Sequence, residues 1–91
     1  MVKEKTKPVQ REKDHHQDSH FLLLFNDDIH AFDFVIKTLI EVCEHDPIQA
    51  EQCTWIAHFK GKCPVKEGRF ETLKPLHDEM AHRGLTVSIH P

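Results

Sequence analysis

The chain has 91 residues, 38% of them hydrophobic and 30% charged, enough for one small domain and not two. Twelve Lys and Arg against fifteen Asp and Glu leave a net charge of −3, whereas a general nucleic-acid binder carries a basic excess. No apolar stretch approaches the roughly 20 residues of a membrane span, and three cysteines without a CxxC pair do not make a secreted disulfide framework.

Residues 1–19 are nearly devoid of apolar side chains, and lysines and arginine alternate with acidic residues. Such a segment buries too little apolar area to offset the entropy of ordering it, so a flexible tail is expected. It lacks the apolar core of a secretory signal. The expected location is the cytoplasm, with Cys43, Cys53 and Cys63 as reduced, buried small hydrophobes.

Residues 20–26, HFLLLFN, form a strand-length apolar run that stops at Asn26-Asp27-Asp28. In residues 31–45, Phe32, Val35, Ile36, Leu39, Ile40 and Cys43 recur at three- and four-residue spacing, which predicts a helix with one apolar face. Asp46, Pro47 and Gln49 suit the N-cap, N1 and N3 positions of a second helix, which Gly61 ends. KCPVK (62–66) reads as an edge strand because Pro64 has no amide hydrogen, and Glu67-Gly68 as a turn. Residues 69–83 predict a third helix with Phe70, Leu73, Leu76 and Met80 on one face, kinked at Pro75 or regular only from near it. Gly84 stops that helix, and LTVSIH (85–90) alternates as a half-buried strand does. The expected fold class is α+β in the order β-α-α-β-α-β, a small three-stranded antiparallel sheet packed with three helices over residues 20–91.

Two spots could carry chemistry. Asn26-Asp27-Asp28 is an acceptor cluster where the first strand gives way to a helix, although Asn and Asp also favour such places as turn and cap residues. His58, near the end of the second helix, matters if it faces that cluster. Histidine is abundant, nine in all, but no Cys pair completes a zinc set with His16 and His20 or with His77 and His82, so no metal is expected. The other histidines beyond His30 and His58 read as exposed or tail residues without a shared site. Nucleophile elbows, phosphate loops and HExxH are absent from the sequence, and Cys53 and His58, five apart on a helix, point in different directions, so no enzyme is expected.

The combination of LLLFNDD (22–28), FVIKTLIEV (34–42), AHFKGK (57–62) and GLTVSI (84–89) resembles the ClpS family, adaptors that deliver N-end-rule substrates to the Clp protease. The resemblance spans about residues 20–91 and implies a fold similar to the C-terminal domain of the ribosomal stalk protein. It implies a monomeric, cofactor-free adaptor that binds clients whose first residue is Leu, Phe, Tyr or Trp. Its other implied partner is the N-terminal domain of an AAA+ unfoldase, ClpA or ClpC, with neither nucleic acid nor membrane involved. Asn26, Asp27 and His58 would take the client's α-amino group, and Asp28 would help to line the site. A protonated amine is a three-donor cation and needs clustered acceptors, and His58 should be neutral to accept from it. The first side chain would enter an apolar pocket walled by Ile29, Phe32, Val35, Thr54, Ala57 and Leu85. Burial worth roughly 1.5–3 kcal/mol and charge-assisted bonds of similar size imply micromolar-to-submicromolar affinity.

Five positions depart from the family. Phe32 stands where Met is common and should still reject β-branched first residues. Thr54 and Ala57 replace larger apolar residues, which motivates an alternative: a modulator of the unfoldase that does not read N-termini. His30 replaces a small hydroxyl residue and is an accessory candidate for contact with the client backbone or for pH dependence. On the unfoldase-docking surface Glu71 matches an acidic position, but Leu76 stands where Lys is common. The tail matches the family's N-terminal extension, which the unfoldase engages.

Overall fold

The computed structural model describes residues 19–91. The elements are β1 (Ser19–Phe25), α1 (Phe32–Cys43), α2 (Pro47–Lys60), β2 (Lys62–Arg69), α3 (Phe70–His82) and β3 (Val87–His90). This is the β-α-α-β-α-β order expected from the sequence. The tail expected over residues 1–19 lies outside the described residues, except that Ser19 is already the first residue of β1.

β1 is the central strand of a sheet ordered β2-β1-β3 and pairs antiparallel with both neighbours. Antiparallel neighbours share faces at paired positions. Leu22 therefore lies beside Ile89, and Leu24 between Cys63 and Val87, on the face that the helices cover. Leu22, Leu24, Leu39, Leu73 and Met80 are fully buried at the centre of the core.

β2 is longer than its sequence suggests. Glu67 and Gly68, expected as a turn, pair with Phe21 and His20 and extend the strand to Arg69. Two residues with turn propensity stay extended because β1 offers a full row of partners, so pairing overrides local preference. The register shifts between Leu22 and Leu23, where Lys66 and Pro64 are successive partners and Val65 is passed over. This bulge turns Val65 inward, and the His45 ring reaches its carbonyl at 2.6 Å. A carbonyl only accepts, so Nε2 of His45 carries the proton. The sequence placed His45 among the exposed histidines; it is 4% exposed. Its other ring nitrogen is buried without a hydrogen-bond partner among the described residues.

The helices follow the sequence closely. Val35, Thr38, Leu39 and Cys43 form the buried face of α1. The expected cap of α2 is present: an Asp46 side-chain oxygen accepts from the Gln49 N–H at 2.9 Å. The buried face of α2 consists of small residues, Ala50, Cys53, Thr54 and Ala57, which let the helix lie close to its neighbours. α3 is assigned as helix continuously from Phe70 to His82 with Pro75 inside it, so it begins well before the proline. Pro75 costs that helix one backbone donor and does not terminate it. Phe70, expected on the core face, is 46% exposed and meets His20 edge to face. Among the described residues no helix is long and apolar enough to cross a membrane.

Candidate functional site

One backbone bond joins the two sequence motifs. Where β1 ends, the Asn26 N–H donates to the Gly61 carbonyl at 2.9 Å. Gly61 is the C-cap of α2 with φ of 95°, a left-handed conformation that glycine adopts without a Cβ penalty. His58 precedes it by about one helical turn, so this bond brings the last turn of α2 alongside the Asn26-Asp27-Asp28 segment. On the other side the Phe25 N–H donates to the Thr86 carbonyl at 2.9 Å, which holds Leu85 against the end of β1.

The Asp27 side chain then shapes the loop. One carboxylate oxygen accepts from the Ile29 N–H at 2.7 Å and from the His30 N–H at 3.2 Å. The other oxygen meets Nδ1 of His30. Burial pushes the Asp27 carboxyl up. The bonds from the Ile29 N–H, the His30 ring and the His30 N–H together outweigh that and hold it below the ordinary carboxylate value. Asp27 is therefore an anion at neutral pH.

A cavity partly open to solvent lies between the loop, α1 and α2. Exposed Asn26 and His58 stand at its mouth with the partly buried Asp27 and His30, and half-buried Phe32 and buried Val35, Thr54, Ala57 and Leu85 complete its lining. Leu24 and Phe25 also line it, residues that the sequence reading assigned only to a strand. Nothing in an apolar run marks which strand residues will face a cavity rather than a neighbouring helix. The Thr54 hydroxyl donates to the Ala50 carbonyl at 2.8 Å, so its polarity is satisfied within α2 and not turned on the cavity.

Two expected site residues are not brought to the cavity. Ile29, expected as a wall, is 88% exposed, and Asp28 is exposed beside it. The turn closed by Asp27 on the amides of Ile29 and His30 directs the intervening chain outward. Glu71 is exposed in the first turn of α3, away from the residues that line the cavity.

The His58 ring is held by aromatic packing. It meets Phe32 edge to face with centroids 5.2 Å apart, Phe59 at 5.0 Å and Trp55 at 6.1 Å. Trp55 in turn stacks on Phe59 and meets Phe32 at 4.5 Å. Trp55, Ile56 and Phe59 leave exposed apolar surface beside the mouth. Among the described residues no three His, Cys, Asp or Glu side chains are grouped to hold a metal ion.

Asn26, Asp27 and His58 thus share one cavity with Phe32, Val35, Ala57 and Leu85. The family described as ATP-dependent Clp protease adaptor protein ClpS matches residues 15–88. The chain belongs to the ClpS family. Among solved structures it is similar to ClpS2 of Agrobacterium tumefaciens bound to L-phenylalaninamide, with a TM-score of 0.70 and 21% identity over 81% of this chain and 96% of that one. At that identity the likeness establishes the ClpS fold. No curated protein matches the sequence. Membership associates the chain with the Clp protease as an adaptor, in a family that is not catalytic.

Proposed function

We propose that this protein binds the free N-terminus of proteins whose first residue is Leu, Phe, Tyr or Trp and delivers them to the AAA+ unfoldase of the Clp protease. The observation that carries the reading is the meeting in one cavity of the polar Asn26, Asp27 and His58 with the apolar Phe32, Val35, Ala57 and Leu85. An α-ammonium group supplies three donors and one positive charge. Asp27 supplies negative charge, and the Asn26 and His58 side chains supply further acceptors. An acetylated or internal amide lacks that charge and two of the donors. The A. tumefaciens relative is bound to L-phenylalaninamide, which pairs a free amine with a bulky apolar side chain.

In this reading the protein acts without catalysis or cofactor, as a cytoplasmic monomer. The residues ahead of β1 serve as an arm for the unfoldase, ClpA or ClpC, and Glu71 belongs to the docking face. Asp28 contributes negative potential from outside the cavity.

The test is a binding series by fluorescence anisotropy with peptides that begin Leu, Phe, Tyr, Trp, Ile and Ala. The four bulky residues should bind in the micromolar-to-submicromolar range, with Ile and Ala much weaker. Asp27→Ala and His58→Ala should each weaken Phe-peptide binding by about tenfold or more, the effect of one charge-assisted bond. No binding by the wild type, together with retained binding to a Clp unfoldase, would favour a modulator that does not read N-termini.

A further inference from the structure

His30 makes a closer commitment to Asp27 than contact with a client requires. Both its backbone N–H and its ring Nδ1 bond the Asp27 carboxylate, one to each oxygen. A carboxylate that is ionised only accepts, so Nδ1 carries a proton and Nε2 is the nitrogen not engaged by Asp27. The ring itself is seated. It stacks on Phe34 with centroids 5.0 Å apart and planes 20° from parallel. Its far edge lies against Gly84, where an added Cβ would fall 3.1 Å from Nε2 and 3.2 Å from Cε1. Gly84 has φ of +94°, so the turn between α3 and β3 is shaped to leave that space. Side chains of Asp27 and His30 remain only 11% and 24% exposed.

Resting on the amine-capture reading, we propose that His30 is a positioning residue. It fixes the orientation of the Asp27 carboxylate and, when protonated, weakens capture of a cationic N-terminus. Its neutral ring donates to Asp27 and leaves the carboxylate's negative charge intact. Its protonated ring adds a positive charge beside that carboxylate, and an incoming ammonium then meets a nearly neutral pair. The groups that face the ring are Asp27 from its own loop, Phe34 from α1 and Gly84 from the α3–β3 turn, the last two uncharged. His58 lines the same cavity from α2. Asp28 and Asp33 flank His30 in sequence and are exposed. Arg83, next to Gly84, is paired with Glu79 and Glu41.

The experiment compares wild type, His30→Ala and His30→Asn for binding of a free-amine Phe peptide between pH 7.5 and 5.5, with circular dichroism to confirm folding. His30→Ala removes the ring donor and should weaken binding at pH 7.5 by about tenfold, as loss of a bond to a charged group does. His30→Asn places an amide donor near the position of Nδ1 and cannot titrate, so it should recover most of that loss. On acidification all three proteins retain His58 and its contribution. Wild type should nevertheless lose about fivefold more affinity than His30→Asn, the effect of one unit charge a few ångströms from another in a water-like dielectric. Equal affinities of wild type and His30→Ala, or parallel pH profiles of wild type and His30→Asn, would overturn the proposal while leaving amine capture standing. A wild type that does not bind the free-amine peptide overturns the functional reading and this proposal with it.

Discussion

Phe32 and His58 meet edge to face at the cavity mouth, with ring centroids 5.2 Å apart and planes at 74°. The His58 ring makes no hydrogen bond to the described residues, so its orientation comes from Phe32, Trp55 and Phe59. Among the described residues neither ring nitrogen is engaged, and Phe32 joins His58 to the apolar wall of the cavity.

Phe32→Ala should accordingly lower affinity for Leu- and Phe-first peptides by about tenfold, through lost wall contact and a loosened His58. It should also narrow the gap between Leu- and Ile-first peptides. Trp55 is the chain's one tryptophan and packs on Phe32, so its emission reports the same change and should respond when a Trp-free peptide binds. An unaltered Leu-to-Ile ratio in the variant would remove Phe32 from the specificity role.

Gly84→Ala should destabilise the fold by about 1–3 kcal/mol, since a non-glycine residue is held in a left-handed conformation and its Cβ also presses on the His30 ring. Urea unfolding measures this. A loss below about 0.5 kcal/mol would mean that the turn readily relaxes.

Much of this architecture is legible in the sequence, for identifiable reasons. β1 contains the uninterrupted apolar run of residues 21–25, and α2 opens with Asp46-Pro47, whose cap geometry is local. What local pattern does not carry is anything fixed by a distant partner. Glu67 and Gly68 become strand only because β1 pairs with them. His45 is buried because a bulge at Val65 offers it a carbonyl 20 residues away. In the site, Asn26, Asp27, Phe32 and His58 carry residue types suited to their positions. Leu24 and Phe25 look like any strand core, and the outward turn of Ile29 follows from side-chain bonds that residue spacing does not reveal.

Acid should expose the role of Asp27 in stability. Its carboxyl is held below its ordinary value, so its bonds stabilise the fold fully above the unfolded-state pKa, near 3.8. That contribution is lost as pH falls through the lower folded-state pKa. Asp27→Asn should therefore be less stable than wild type at neutral pH, and the difference should shrink below about pH 4. A difference that stays constant from pH 7 to pH 3 would contradict the ionic hold on the loop.

The thiols offer a test of the core. Burial pushes Cys43 up to about 11 and Cys63 up to about 12, well above the ordinary thiol value. Neither thiol holds appreciable thiolate at pH 8, and all three cysteines are buried and free. A disulfide-exchange reagent should react slowly with the native protein and rapidly with all three thiols in denaturant. Immediate reaction of Cys43 in the native state would contradict the packing of α1 and α3 around it.

Acetylation isolates the capture of a charged N-terminus, because it leaves the first side chain unchanged. Binding of one Phe-first peptide is to be measured at pH 7.5 with its amine free and with it acetylated. Free peptide should bind at least about a hundredfold more tightly, since acetylation removes the cation that Asn26, Asp27 and His58 would hold. Equal affinity of the two forms would mean that Asn26, Asp27 and His58 do not hold an α-ammonium group.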